Sequence, residues 1–281
     1  MQVQGFHEAE TGTVTYLVHC LATRQAAVID PVLGFDPVTG RSSTKPLQPV
    51  IAAIDSAGLT LEWLLETHIH ADHLSGAAAL RDARGGRLGI GAGVAEVERN
   101  FGKLFNFGLE AARFDRLFED GAEFALGALA GQVIGTPGHT PDSLSYLIGD
   151  ALFVGDTLFM PDAGTARCDF PGGDAGTLYR SIQRILALPD ATRIFVCHDY
   201  KAPGRDAFAW ETTVAEQRML NTHVHQGVGE AAFVALRQAR DATLPMPRLM
   251  LPSVQVNLRA GAMPPPDANG VRYIRIPIDS V

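Results

Sequence analysis

Thr67-His68-Ile69-His70-Ala71-Asp72-His73 sets four metal-capable side chains within six residues. The stretch begins where an apolar run, LEWLL (61–65), reads as a β-strand coming to its end. In open α/β folds, ligands gather at the carboxyl ends of strands, so the placement adds weight to the composition. His68 and His70 are two apart, and an extended backbone points such residues the same way. Asp72 and His73 then fall where the chain turns towards a helix expected over 75–84.

Working outward, three more candidates sit at strand ends. His139 follows the strand 132–134 in GTPGHTPDS, Asp156 follows ALFVG in GDTLF, and His198 follows RIFVC in CHDY. Gly138 and Gly155 suit turns that need unusual backbone angles or a close approach. Burying five histidines and two carboxylates together without a metal would cost several kcal/mol for each uncompensated charge. A metal site is therefore the expected reading for all seven. His7, His19, His223 and His225 stand alone and read as capping or core residues.

The remaining pattern alternates short strands with helices. Strands are expected over 13–18, 26–29, 122–126, 143–148, 151–154 and 193–197. Helices are expected over 47–57 (with Gly58 as its C-cap), 177–188, 211–221 and 230–239. Residues 31–46 read as a looped insertion rich in turn formers. From Thr243 the tail is proline-rich, lacks long helices, wraps over the body, and ends in a strand over 271–278. The expectation is one α/β domain, with a core of about 1–225 and a C-terminal extension of about 226–281.

With 23 Lys and Arg against 31 Asp and Glu, the chain carries a formal charge of −8. That balance argues against a nucleic-acid partner, because phosphate neutralisation needs clustered cations. It leaves room for a small anionic substrate, since a few local arginines set the field of one cleft. The first twenty residues lack a basic segment followed by an apolar core, and no apolar run reaches a membrane span. Cys20, Cys168 and Cys197 are scattered and odd in number, so they read as reduced thiols of a cytoplasmic protein.

The order His-x-His-x-Asp-His, Gly-His-Thr, Gly-Asp and a strand-end His resembles the metallo-β-lactamase superfamily over most of 13–200. The resemblance implies an αββα sandwich with the metal centre at one edge between two mixed sheets. By ligand count alone, His68, His70 and His139 suit one metal and Asp72, His73 and His198 a second, with Asp156 bridging. Two Zn²⁺ ions held in that way would generate hydroxide for hydrolysis.

Finer matches resemble the persulfide dioxygenase branch of that superfamily. They are Thr165-Ala-Arg167-Cys168-Asp169-Phe170, Gly176-Thr-Leu-Tyr179-Arg-Ser181, His198-Asp199-Tyr200 and Val256-Asn257-Leu258-Arg259. The insertion at 31–46 suggests a bacterial subgroup. This likeness implies a single Fe²⁺ held by His68, His139 and Asp156, with glutathione persulfide and O₂ as substrates. His70, Asp72, His73 and His198 would hold ligands and waters through hydrogen bonds. Arg167, Asp169, Tyr200 and Arg259 would surround glutathione, and Cys168 reads as a small packed residue. The family also suggests a homodimer.

The main rival is a two-zinc glyoxalase II (hydroxyacylglutathione hydrolase), which generally carries a helical C-terminal substrate domain. A β-lactamase gives no reason for the Arg-x-Asp-Phe segment. A non-catalytic module with a structural metal is the remaining alternative.

Overall fold

The computed structural model describes residues 1–106 and 113–280. The chain opens with β1 (Gln2–His7), β2 (Val14–His19) and β3 (Gln25–Ile29), then a hairpin of β4 (Val32–Asp36) and β5 (Arg41–Ser43). Next come α1 (Gln48–Ser56), β6 (Thr60–Leu65), β7 (Leu74–Ser75), α2 (Ala77–Arg84), β8 (Arg87–Gly91), α3 (Val94–Phe105) and β9 (Arg116–Phe118). The second half runs β10 (Glu123–Leu126), β11 (Leu129–Gly135), β12 (Leu144–Ile148), β13 (Ala151–Phe153), α4 (Ala175–Leu186) and β14 (Arg193–Phe195). It ends with β15 (Glu211–Thr213), α5 (Val214–Leu220), α6 (Glu230–Asp241) and α7 (Met250–Asn257).

Two six-stranded sheets form, in the orders β1-β2-β3-β6-β8-β9 and β10-β11-β12-β13-β14-β15. Both are mixed: β3, β6, β8 and β9 run parallel, as do β13 and β14. Period-2 alternation divides their side chains between layers. In β3, Ala27 and Ile29 meet Phe153 and Phe195 of the other sheet, while Ala26 and Val28 face the opposite way. That outer face is covered by Val50 and Ile54 of α1, Leu80 of α2 and Phe101 of α3. The second sheet repeats the plan, with Leu152 and Ile194 packed beneath Leu178 and Ile182 of α4 and Phe233 of α6. Strands buried on both faces have to be apolar throughout, which is why AAVI and ALF carry no polar residue. The result is the expected αββα sandwich.

The structure corrects several local readings. Residues 31–46 are not a plain loop, because β4 and β5 pair there and β4 also pairs with β7 beside the histidine motif. The helix expected over 211–221 starts as β15, and Thr213 then caps α5 in a reciprocal capping box with Glu216. β-branched Thr212 and Thr213 favour the strand, a preference that helical spacing alone overlooks. Residues 271–278 form no strand. There the side-chain amide of Gln255 donates to the Arg275 carbonyl and its oxygen accepts from the Arg275 N–H, in place of a ladder. The tail holds α7, whose Met250 and Val254 join the core beneath α1 and α2. Among the described residues no helix is long and apolar enough to cross a membrane.

Candidate metal centre

β6 of the first sheet and β11, β13 and β14 of the second each deliver a ligand-type side chain within four residues of their ends. After β6 come Thr67 and His68. The His68 ring is 1% exposed, its Nδ1 lies 3.0 Å from Thr67 Oγ1, and its Nε2 has no hydrogen-bond partner. Burial holds its basicity well below the ordinary histidine value, and the neighbouring His70 and His139 push the same way. A neutral imidazole with a bare nitrogen is the metal-binding form.

His139 follows β11. Its Nδ1 donates to the Arg167 carbonyl at 2.6 Å, and because a carbonyl only accepts, the lone pair rests on Nε2. That Nε2 is 3.6 Å from Asp156 Oδ2. Asp156 follows β13 through Gly155, whose φ is +51° and whose Cβ, were there one, would sit 2.5 Å from Thr67 Oγ1. Only glycine lets the two strand ends approach so closely. The ligand atoms of His68, His139 and Asp156 all lie within 4.8 Å of one another.

The other four candidates surround this triad. His198 Nε2 is 3.3 Å from Asp156 Oδ1 and 3.5 Å from Asp72 Oδ2, while His73 Nδ1 is 3.2 Å from Asp72 Oδ2. His70 turns its Nε2 to Asp30 at 3.0 Å and to Glu66 at 3.5 Å. His70, Asp72 and His73 also present ligand atoms within 4.8 Å of one another. Besides His68 Nε2, the buried His70 Nδ1, His73 Nε2, Asp156 Oδ1 and both His198 nitrogens lack hydrogen-bond partners. So many orphaned buried atoms at one point are costly unless a cation fills it, so these residues fit a metal. Nitrogen and carboxylate donors suit a divalent transition metal.

Three residues that organise the loop escaped the sequence reading. Asp30 follows β3 with φ +49° and accepts from Thr67 N–H at 2.8 Å, Thr67 Oγ1 at 2.9 Å and His70. Burial alone would raise its carboxyl, but the facing His70 charge and the Thr67 donors hold it below the usual range. Glu66 bonds to the Ser75 hydroxyl, and burial pushes its carboxyl up. Asp142 accepts from Ile69 N–H at 2.7 Å. Asp30 carried a usable signal, since it too follows directly on a strand.

A cavity of about 750 Å³ opens on the centre. Of the four expected substrate contacts, Arg167 and Tyr200 line it, and Asp169 and Arg259 do not. Arg167 is bound in a fork to Asp169 at 2.6 and 2.7 Å and donates to the Pro245 carbonyl at 2.8 Å. Tyr200 is 64% exposed and stacks on the His198 ring at 5.6 Å. Arg259 is buried just beyond α7. Cys168 is packed away, its thiol pushed up to about 12 by burial and by Asp241. His223, expected to be structural, accepts from Thr165 N–H at 3.0 Å and also lines the cavity.

Residues 10–198 match the sequence model of the Metallo-beta-lactamase superfamily. A probable metallo-hydrolase of Burkholderia pseudomallei is 50% identical over the full length of both chains. The mitochondrial persulfide dioxygenase ETHE1 of Homo sapiens is 31% identical, covering 90% of this chain and 86% of its own. Among solved structures, ETHE1 from Myxococcus xanthus superposes with a TM-score of 0.76 at 32% identity, over 93% of this chain and all of its own. Motif order, strand-end ligands and two facing sheets thus coincide with similarity along the chain's length: it belongs to the metallo-β-lactamase superfamily.

Proposed function

We propose that this chain is a persulfide dioxygenase that converts glutathione persulfide, O₂ and water into glutathione, sulfite and two protons. The carrying observation is the facing set of His68 Nε2, His139 Nε2 and Asp156 on a cavity that also holds Arg167 and Tyr200. Two histidines and one carboxylate are the donor set expected of non-haem iron oxygenases. A ferrous ion there supplies the redox chemistry that reaction with O₂ requires. The protein's contribution is position. The Arg167 carbonyl fixes the His139 tautomer, Phe159 and Phe170 wall the approach against water, and Tyr200 covers His198. Similarity to the human persulfide dioxygenase over most of both chains supports the reading. Three unpaired, buried cysteines fit a cytoplasmic enzyme.

A two-zinc hydrolase is the second reading. It is favoured by the bare His73 and His198 nitrogens and by the hydrolase-like relative. Metal analysis of protein grown without added zinc, run beside oxygen uptake, separates the two. One iron per chain with uptake dependent on glutathione persulfide is expected. Two zincs with hydrolysis of S-lactoylglutathione would sink the proposal.

A further inference from the structure

Among the described residues five cations line the cavity, and they are not equivalent. Arg167 is taken up by Asp169, and the buried Arg237 by Asp241. Arg240, Arg248 and Lys201 are exposed on the rim and form no ion pair among the described residues. Arg240 is in the last turn of α6, and Arg248 follows seven residues after that helix ends. Leu244, Pro247 and Leu249 supply an apolar wall between them. Lys201 belongs to the loop after β14, with its Nζ 4.5 Å from the Phe208 ring centre.

The acids on the same wall do not neutralise these groups. Asp162 is bound to Arg205 at 2.7 Å, and Asp72 and Asp156 belong to the metal cluster. Among the described residues of that wall, Glu10 is the one remaining acid against the three cations; Asp36, outside the cavity, also feels the Arg248 charge. In a chain of net charge −8 this is a local reversal of sign, of the kind that concentrates an anionic ligand in one cleft. The arginines first expected around glutathione are otherwise placed, with Arg167 already chelating Asp169 and Arg259 away from the cavity.

We propose that Arg240 and Arg248, assisted by Lys201, form a carboxylate subsite that holds the two acid groups of a peptide thiol whose sulfur points to the metal cluster. Two separate guanidinium forks suit two separate carboxylates. The orientation of the sulfur rests on the proposed function; the carboxylate subsite itself does not. The α6 end and the segment after it thereby select acidic, peptide-sized carriers over small neutral ones.

The test uses S-methylglutathione, which can neither be oxygenated as a persulfide nor hydrolysed as a thioester. Its binding to the metal-loaded full chain is measured by calorimetry beside that of its diethyl ester. The diacid is expected to bind the wild type about tenfold tighter than the diester, a preference that shrinks as salt is raised. In the double variant R240Q/R248Q the diacid should lose about tenfold in affinity and the diester almost nothing. No preference in the wild type, unchanged diacid binding in the variant, or equal loss for both ligands would overturn the subsite. Because neither ligand reacts, these results hold whether the centre proves to be an oxygenase or a hydrolase. Failure of the subsite and failure of the proposed reaction are therefore told apart.

Discussion

His223 shows what one side chain in this site does that its sequence position does not announce. It is 5% exposed, and its Nδ1 accepts from the Thr165 backbone, so the folded protein needs that nitrogen unprotonated. Burial pushes its pKa down to about 4, and the Arg237 and Arg240 charges act in the same direction. In the unfolded chain the value returns to about 6.5. Between those values the unfolded chain binds a proton that the folded chain refuses, so stability is full above about pH 6.5 and falls as pH drops towards 4. His223→Gln keeps an acceptor for Thr165 and has nothing to titrate. Urea midpoints at pH 7 and pH 5 should fall less for H223Q than for the wild type; parallel falls would refute the assignment. At this scale the sequence was informative about candidate ligands and silent about their supports. His68, His139 and Asp156 announce themselves by residue type and motif density. Asp30 and Asp142 accept from the N–H groups of Thr67 and Ile69, and Glu66 from the Ser75 hydroxyl, partners that residue type alone does not reveal.

At the scale of elements, long amphipathic patterns and strand–turn–ligand junctions were readable, whereas elements completed by distant partners were not. α7 is the clearest case. Its first-turn Pro252 and short span hide it from a periodic reading, yet tertiary packing stabilises it. Its last residue, Asn257, reaches back to the histidine motif. The Asn257 amide donates to the carbonyls of His70 at 2.8 Å and His73 at 2.9 Å, and its oxygen accepts from Ser75 N–H at 2.7 Å. One side chain from the tail therefore closes the loop that carries four metal-capable residues. Asn257→Ala should destabilise the protein by about 3 kcal/mol, since it strands a buried N–H and two carbonyls. Asn257→Asp should be about as harmful, because it keeps the acceptor and sets a carboxylate against both carbonyls. Both variants should also release metal faster to a chelator than the wild type does. A stable Asn257→Asp that holds metal normally would show that the two donated bonds contribute little.

For the molecule as a whole, the question is whether residues beyond 225 are an appendage or part of the body. Phe233 of α6 is fully buried with Leu178 and Ile182 beneath the second sheet. Met250, Val254, Val256 and Leu258 are all under 7% exposed and share one core with Val50, Leu80 and Phe101 on the first sheet. The extension thus contributes to both outer layers. Removing a large buried apolar side chain costs roughly 2–5 kcal/mol. Four such losses in the first layer alone match or exceed the 5–15 kcal/mol that typically separates folded from unfolded chains. A chain ending at residue 242 keeps α6 but loses α7 and Asn257, and with them the tie on the histidine loop. It should therefore be without a cooperative thermal transition and without fixed near-ultraviolet dichroism, while the full chain melts in one step by calorimetry. A 1–242 chain that melts cooperatively and retains metal would mean that the first sheet and its helices form a sufficient core without the tail. The tail would then contribute Arg248 and the apolar wall of Leu244, Pro247 and Leu249 to the cavity while contributing little to folding.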